Sequence, residues 1–494
     1  MEKDIIIDGA PSIDTGVDVS AQYRTGTLQY TKSGLAMLFV WLMWGDFCFS
    51  IMQTVDPSIL PFMLNKLDAP NTTISLYLTT IPAFMNFVLN PIISTKSDRY
   101  RSKWGRRRPF LVFATPFITL FLVLTGFAPE IGAWLHAHVF SASGASPQLV
   151  TVWLLGVLIV GYRFFDLFVA TVFYYFFNDV VPEHYMGRFT TGFRAFAVIA
   201  TFSYNWFIFK YAEDHAKWIF LGIALLYLIG FMLMCWKVKE GEYPPPPEKI
   251  GNKEGISASI RTYIKECFSH KFYMVWFMVY SLYTIAGCAT PFLLLMQQRS
   301  LGITMEQIGH LGAIGGVVSF IVLFPAGVLS DKYHPFRVHL VSMAALLVAS
   351  LLFAIVIIGF KFPPSTTYKI LLGYAIIYAP LGAISITAFF PLGMRLLPRS
   401  RYGQFCSAGA MISSLFIMLG GYVIGVLLDY VKKLLGGDIS YLRYVTLWIP
   451  MGYLLCLAAS IILYRMWKKM GGDASFSPPE PDHFLSSKEG AGIN

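Results

Sequence analysis

Of 494 residues, 56% are hydrophobic and only 13% charged, about half the ~25% charge of an ordinary soluble domain. That balance excludes a water-soluble globular protein and fits a chain whose outer surface meets lipid. The net charge of +10 is concentrated in seven basic residues from Lys96 to Arg108 and seven from Lys237 to Lys271, while 129–148 holds no Lys or Arg. Inner loops collect Lys and Arg, so this charge reports membrane topology and places 129–148 outside; it is no nucleic-acid footprint.

The first twenty residues hold five acids and one Lys and lack the basic start and apolar run of a secretory signal. Residues 1–32 are therefore expected to form a cytoplasmic tail. Crossing ~30 Å of hydrocarbon takes about 20 apolar residues in a helix. The first predicted span is 33–64, interrupted by Asp46 and Asp56, and the second is 69–95. After the basic loop come 109–128, then 148–178 with Arg163 and Asp166 inside it, 188–210 with Arg194, and 218–236. These six form an N-terminal bundle over 33–236. The linker 237–271 holds the stiff run Pro244 to Pro247. It continues as ISASIRTYIKECF, whose helical alternation suits either the inner membrane surface or a plain spacer. Six more runs, 272–298, 307–330, 338–360, 370–394, 402–428 and 444–464, build a C-terminal bundle over 272–468. Residues 469–494 read as a second cytoplasmic tail. The predicted class is an all-α membrane protein of twelve transmembrane helices in two six-helix halves. An even count places both termini on the cytoplasmic side of an inner or plasma membrane.

Two echoes support a duplication. Ser97-Asp98-Arg99-Tyr100 after the second span matches Ser330-Asp331-Lys332-Tyr333 after the eighth. Pro182 with Gly187-Arg188-Phe189 after the fourth matches Pro398 with Gly403-Gln404-Phe405 after the tenth. Repeated halves with a substrate site between them are a recurrent transporter plan. Prolines inside spans, such as Pro57, Pro61, Pro91 and Pro380, are tolerated where neighbours satisfy the freed backbone. The six cysteines show no metal-ligand spacing and read as small buried apolar residues. His310 and His339 each stand alone and read as interior histidines. There is no G-x-x-x-x-G-K-[ST] run and no nucleophile–base set, so no ATP-driven pump, enzyme, cofactor or metal site is expected.

An ionisable side chain at membrane depth costs at least ~2.5–3.5 kcal/mol on insertion scales, so it faces a cavity or a partner. Asp46 and Asp166 are therefore leading candidates for a substrate-binding or coupling site. Arg163 shares a helix face with Asp166 three residues on, which offers a structural ion pair as the plainer reading. Protonating Asp166 would then release Arg163 and weaken a gate.

The stretch Asn90-Pro91-Ile92-Ile93 through Ser97-Asp98-Arg99-Tyr100-Arg101-Ser102-Lys103-Trp104-Gly105-Arg106-Arg107-Arg108-Pro109, joined to the six-plus-six spans, resembles the major facilitator superfamily. Within it the sequence is similar to the glycoside–pentoside–hexuronide symporters and plant-type sucrose transporters, most strongly over 35–200. Gly45-Asp46-Phe47 resembles that group's sugar-contacting aspartate, and Phe193-Arg194-Ala195-Phe196 its sugar-binding arginine. Asp166 keeps the group's spacing, thirteen residues before Asp179. In place of the group's D-x-x-x-D-P on helix two stands Asn86-Phe87-Val88-Leu89-Asn90-Pro91. The spacing is kept and both charges are gone, which argues against a sodium site.

A sugar needs hydrogen-bonding groups for its hydroxyls and aromatic faces for its C–H surfaces. Carboxylates at 46 and 166 with Arg194 supply charge-assisted bonds. Tyr162, Phe165, Tyr174, Tyr280 and Trp44 are candidate faces, each with core or lipid packing as its plainer reading. Gln53, Asn86, Asn90, Asn205 and Gln297 are candidate secondary contacts. Asp98, Arg99, Gly105, Arg106, Arg107 and Gly187, with Gly327, Asp331, Arg337 and Gly403, sit at the inner ends of spans and are assigned to gating and structure. Gly327, four residues before Asp331, fits the superfamily's G-x-x-x-D start, where the first half has Ser94. The arginines also serve as inside anchors. The sequence thus reads as a secondary transporter, a monomeric proton-coupled sugar or glycoside symporter working by alternating access, with Asp166 or Asp46 carrying the proton. Low dielectric favours the neutral form of a carboxyl group, as a proton carrier requires. The alternatives are an uncoupled facilitator or exporter of another small solute and a non-transporting nutrient sensor, for which linker and tails are short.

Overall fold

A computed structural model describes residues 23–242, 263–398 and 401–479. Most of the expected N-terminal tail, the Pro244 to Pro247 run, the first part of ISASIRTYIKECF and 480–494 lie outside the described residues.

A two-residue antiparallel hairpin, β1 Arg24–Thr25 and β2 Leu28–Gln29, leads into α1, Lys32–Lys66. Thr31 starts that helix because its hydroxyl accepts the otherwise unpaired Gly34 N–H at 3.0 Å. Then follow α2 Asn71–Arg99, α3 Arg108–Gly126, α4 Ala128–His138, α5 Pro147–Val180, α6 Met186–Ser203 and α7 Ala216–Lys237. The rest of the chain is α8 Lys271–Ser300, α9 Met305–Tyr333, α10 Pro335–Gly359, α11 Pro364–Leu396, α12 Tyr402–Leu434 and α13 Ile439–Lys469. Proline stands in the first turn of α5, α10 and α11, where its missing N–H costs nothing. Thr304 and Gln307 close a capping box at the start of α9.

Among the described residues, eleven helices are long and apolar enough to cross a membrane. The expected span 188–210 corresponds to α6, continued by a π turn, Tyr204–Ile208, and a 3₁₀ turn, Phe209–Tyr211. Arg188, Arg194, Lys210 and several hydroxyl residues lower its hydropathy and set it apart from the other eleven. The stretch 129–148, expected as a plain outer loop, contains most of α4. Pro129 opens that helix, and Gly132 lies so close to Thr151 of α5 that a Cβ there would overlap its side chain.

The described residues divide into two compact units, one within Met1–Ala69 and Val88–Pro247, the other within Pro70–Phe87 and Glu248–Asn494. The first packs aromatic rings at its centre, with Phe173 edge-on to Phe49, Phe177 and Phe231 at 4.6–5.3 Å between centroids. In the second, Phe389 stacks with Trp276 at 4.9 Å and Tyr283 at 5.4 Å. Large apolar residues are also exposed, such as Trp153 at 69% and Val341 at 71%. In water such surfaces would associate; in a bilayer they are the lipid-facing side.

In the second unit, the start of α2 lies tightly against α12. A Cβ on Gly425 would come within 2.8 Å of Thr72 Cα, and one on Gly421 within 2.7 Å of Thr79 Cγ2. Small residues thus permit backbone approach, and Ser75 donates its hydroxyl to the Gly421 carbonyl. Asp429 of α12 accepts from Asn71 N at 2.9 Å, Asn71 Nδ2 at 2.8 Å, Thr72 N at 2.8 Å and Thr72 Oγ1 at 2.6 Å. One carboxylate therefore caps the first turn of α2.

Candidate functional site

Positions 46, 50, 53 and 56 recur at helical spacing and share one face of α1, the face that carries its polar residues. Asp46 is 1% exposed and Asp56 2%, and across from them on α5 Asp166 is 6% exposed. Arg163 pairs with Asp56 and lies 3.6 Å from Asp166. Gln53 donates its amide to Asp166 Oδ1. The result is a buried chain, Asp56–Arg163–Asp166–Gln53, with two carboxylates facing one guanidinium. Such groups persist in low dielectric only when paired and hydrogen-bonded. The pair of Arg163 with Asp166 that helix spacing implied is therefore present, but Asp56, which sequence reasoning noted only as an interruption, is the closer partner. Its signal was available in the 46, 50, 53, 56 stripe.

Two buried atoms, one on α1 and one on α5, have no hydrogen-bond partner among the described residues. Asp46 accepts from Ser50 Oγ at 3.4 Å through Oδ1, while its buried Oδ2 has no hydrogen-bond partner among the described residues. The buried Arg163 Nε is likewise unpaired. Tyr174 of α5 is 52% exposed and packs its ring edge-on to Phe177 and to Phe193 of α6. Among the described residues, one acceptor oxygen and one donor N–H are thus buried without a partner. Ser58 and Tyr204 extend the polar line from α1 through a 2.7 Å hydroxyl contact.

The remaining candidates have other surroundings. Tyr162 is 1% exposed, donates to Met52 Sδ and lies under the Arg163 guanidinium at 5.3 Å, a packing position. Phe165 stacks on Phe117 with centroids 4.5 Å apart. Asn90 accepts from Thr171 Oγ1 at 3.0 Å, whereas Asn86 donates to Ser414 Oγ at 3.2 Å. The two asparagines at cation-site spacing thus bond to different helices. Tyr280 stacks beside Phe389, and Gln297 lines a cavity of the second unit with Tyr374, Tyr378 and Tyr453. His339 is fully buried and bonds to Ser460 Oγ at 3.2 Å.

The basic loop after α2 forms a network in the first unit. Arg107, 4% exposed, pairs with Asp98 and with Asp179 at the end of α5, at 3.2 Å to the latter. Arg106 also clasps Asp179, with Nε 2.9 Å from Oδ2. Glu240, just past α7, accepts the backbone N–H groups of Arg106, Arg107 and Arg108 at 2.6–2.9 Å. A carboxylate at three orphan N–H groups stabilises the start of α3. Gly105 has φ +101°, and a Cβ there would meet Glu240 Cδ at 2.5 Å, so only glycine fits. Arg99 is exposed. In the second unit, Asp331 is exposed and Arg337 pairs with Asp473 at 2.5 Å. Gly187, Gly327 and Gly403 have open space where a Cβ would stand.

Membrane-crossing helices, with a buried charge chain inside one bundle and a basic loop stapling its helix ends, define a multi-pass membrane protein. The Major Facilitator Superfamily model matches residues 42–421, and the chain belongs to that superfamily. It is 30% identical over 122 residues to the human membrane-associated transporter protein, covering 24% of this chain and 20% of that one. It is 44% identical over 45 residues to sucrose transport protein SUT1 of Oryza sativa subsp. japonica, 9% of this chain and 8% of the relative. These matches span a fifth or less of the relatives' lengths. Among solved structures, a D-xylose–proton symporter superposes with TM-score 0.62 at 13% identity, covering 91% of this chain and 99% of the other. A bacterial homologue of the human lysosomal transporter Spinster gives 0.62 at 14% identity, over 91% and 100%. Those likenesses establish the fold.

Proposed function

We propose that this transporter carries a neutral polyhydroxylated solute, a sugar or glycoside, in symport with protons. The observation that carries the proposal is the buried chain on α1 and α5, with Asp46 Oδ2 and Arg163 Nε unsatisfied beside it. Sugar hydroxyls both donate and accept, so different hydroxyls of one solute suit the Asp46 carboxylate and the Arg163 guanidinium. Asp166 shares Arg163 with Asp56, which makes its protonation a means of redistributing that guanidinium between two carboxylates. The sucrose transport proteins among the relatives and the xylose–proton symporter among the structural neighbours support the same reading. The chain is taken to act as a monomer in the cell membrane with both termini inside, in accord with its Lys/Arg-rich loops. The amides Asn86 and Asn90 favour one second reading, an uncoupled facilitator.

The test is uptake of labelled sucrose, maltose and melibiose into proteoliposomes under an imposed pH or sodium gradient. The proposal expects accumulation driven by the pH gradient and lost in Asp166→Asn. Equilibration without accumulation would make the protein a facilitator, and no uptake of any sugar would remove the sugar reading.

A further inference from the structure

The first unit contains a cavity away from the charge chain. About 440 Å³ in volume, it lies between the start of α1, the end of α7 and the β1–β2 hairpin. Met37, Leu38 and Trp41 of α1 give it an apolar side, Lys237 and Lys239 also line it, and none of its lining residues is acidic. Glu240, the acid nearest in sequence, has its carboxylate bound to the α3 backbone. The hairpin is held in place as a floor by Tyr30 Oη, which donates to the Val180 carbonyl at 3.0 Å, and by Thr27 Oγ1, which accepts the Glu242 N–H at 2.8 Å. Trp236, the residue before Lys237, is 68% exposed, with Lys237 Nζ 4.7 Å over its ring. A tryptophan and a lysine at a helix end form the usual anchor at the boundary between hydrocarbon and headgroups.

A water-soluble anion would use the lysines and leave the α1 wall bare. A plain hydrocarbon would use the wall and leave two cations without an anion. We infer that the cavity binds an anionic phospholipid, with its phosphate at Lys237 and Lys239 and an acyl chain along Met37, Leu38 and Trp41. Basic pockets between membrane helices on the Lys/Arg-rich side suit such headgroups. The volume, within the range of ligand sites, holds a phosphoglycerol headgroup and the first methylenes of one chain. A zwitterionic choline lipid fits less well, because its own cation would approach two lysines.

Native mass spectrometry of the full-length protein in detergent, titrated with short-chain phosphatidylglycerol, phosphatidylcholine or glycerol 3-phosphate, tests the assignment. Phosphatidylglycerol is expected to bind at least tenfold more tightly than phosphatidylcholine, and glycerol 3-phosphate not to bind. Lys237→Gln with Lys239→Gln should weaken phosphatidylglycerol binding roughly 30-fold, from two membrane-surface cations, with circular dichroism and melting unchanged. Met37→Trp, which fills the cavity and keeps both lysines, should weaken it too. Equal binding of the two lipids, unaltered binding in the double variant, or glycerol 3-phosphate competing as well as the lipid would each overturn the site.

Discussion

Replacing Asp56 with Asn tests the buried charge chain directly. The side chain of Asp56 is 3% exposed and that of Arg163 18%, so solvent screens the pair little. After the change, Arg163 keeps only Asp166, 3.6 Å away. At an effective dielectric of ~20 the attraction over that distance is about 5 kcal/mol, and a lone partner recovers part of what two supplied. Breaking a buried pair by removing one member costs roughly 3–5 kcal/mol; with Asp166 retained, the lower end applies to Asp56→Asn. A loss of ~3 kcal/mol corresponds to a fall in melting temperature of roughly 3–6 °C, the lower figure for unfolding of the whole chain and the upper for the first unit alone. Arg163→Met should cost more, because it leaves two carboxylates facing each other. Asp56→Asn combined with Arg163→Met removes both charges and should cost less than the two single changes together by about 1.5–3 kcal/mol. The assay is thermal unfolding of the purified protein in detergent, followed by intrinsic fluorescence. Additive single and double variants, or an Asp56→Asn protein as stable as the parent, would refute the pairing.

Two further substitutions test joints at helix ends. Asp429→Ala deprives Asn71 N and Thr72 N of their acceptor and should lower stability by ~2 kcal/mol, read as a lower melting temperature; no change would mean the first turn of α2 needs no cap. Gly105→Ala puts a Cβ 2.5 Å from Glu240 Cδ at φ +101°; a loss of ~1–3 kcal/mol is expected, and the Glu240→Gln background should reduce that penalty only slightly, since the amide occupies the same space.

The helices were legible because their signal is local. A run of about 20 residues without charge is itself the requirement for crossing hydrocarbon; the side-chain caps Thr31, Ser146 and Thr304 that start α1, α5 and α9 came from the structure. Arg163 and Asp166 could be paired from their spacing alone, three residues apart on one helix. The 188–210 segment was recognisable too, but its arginines separate α6 from the other spans in apolar character.

The partners of the charged groups were not legible. Asp56 and Arg163 are 107 residues apart, Glu240 and Arg106 134, and Asp429 and Thr72 357. Periodicity cannot choose among such distant acids, because the choice depends on which helix faces meet and which carboxylates are left dry where they do. Sequence alone determined the membrane class, the spans and the positions at which charge would be costly. Only tertiary structure decided who neutralises whom: Arg163 takes Asp56 as well as Asp166, Asp179 receives Arg106 and Arg107, and one Asp46 oxygen has no partner among the described residues. The physical reason is that burial sets the cost of a charge locally, whereas relief of that cost comes from a group that folding must bring within hydrogen-bonding distance.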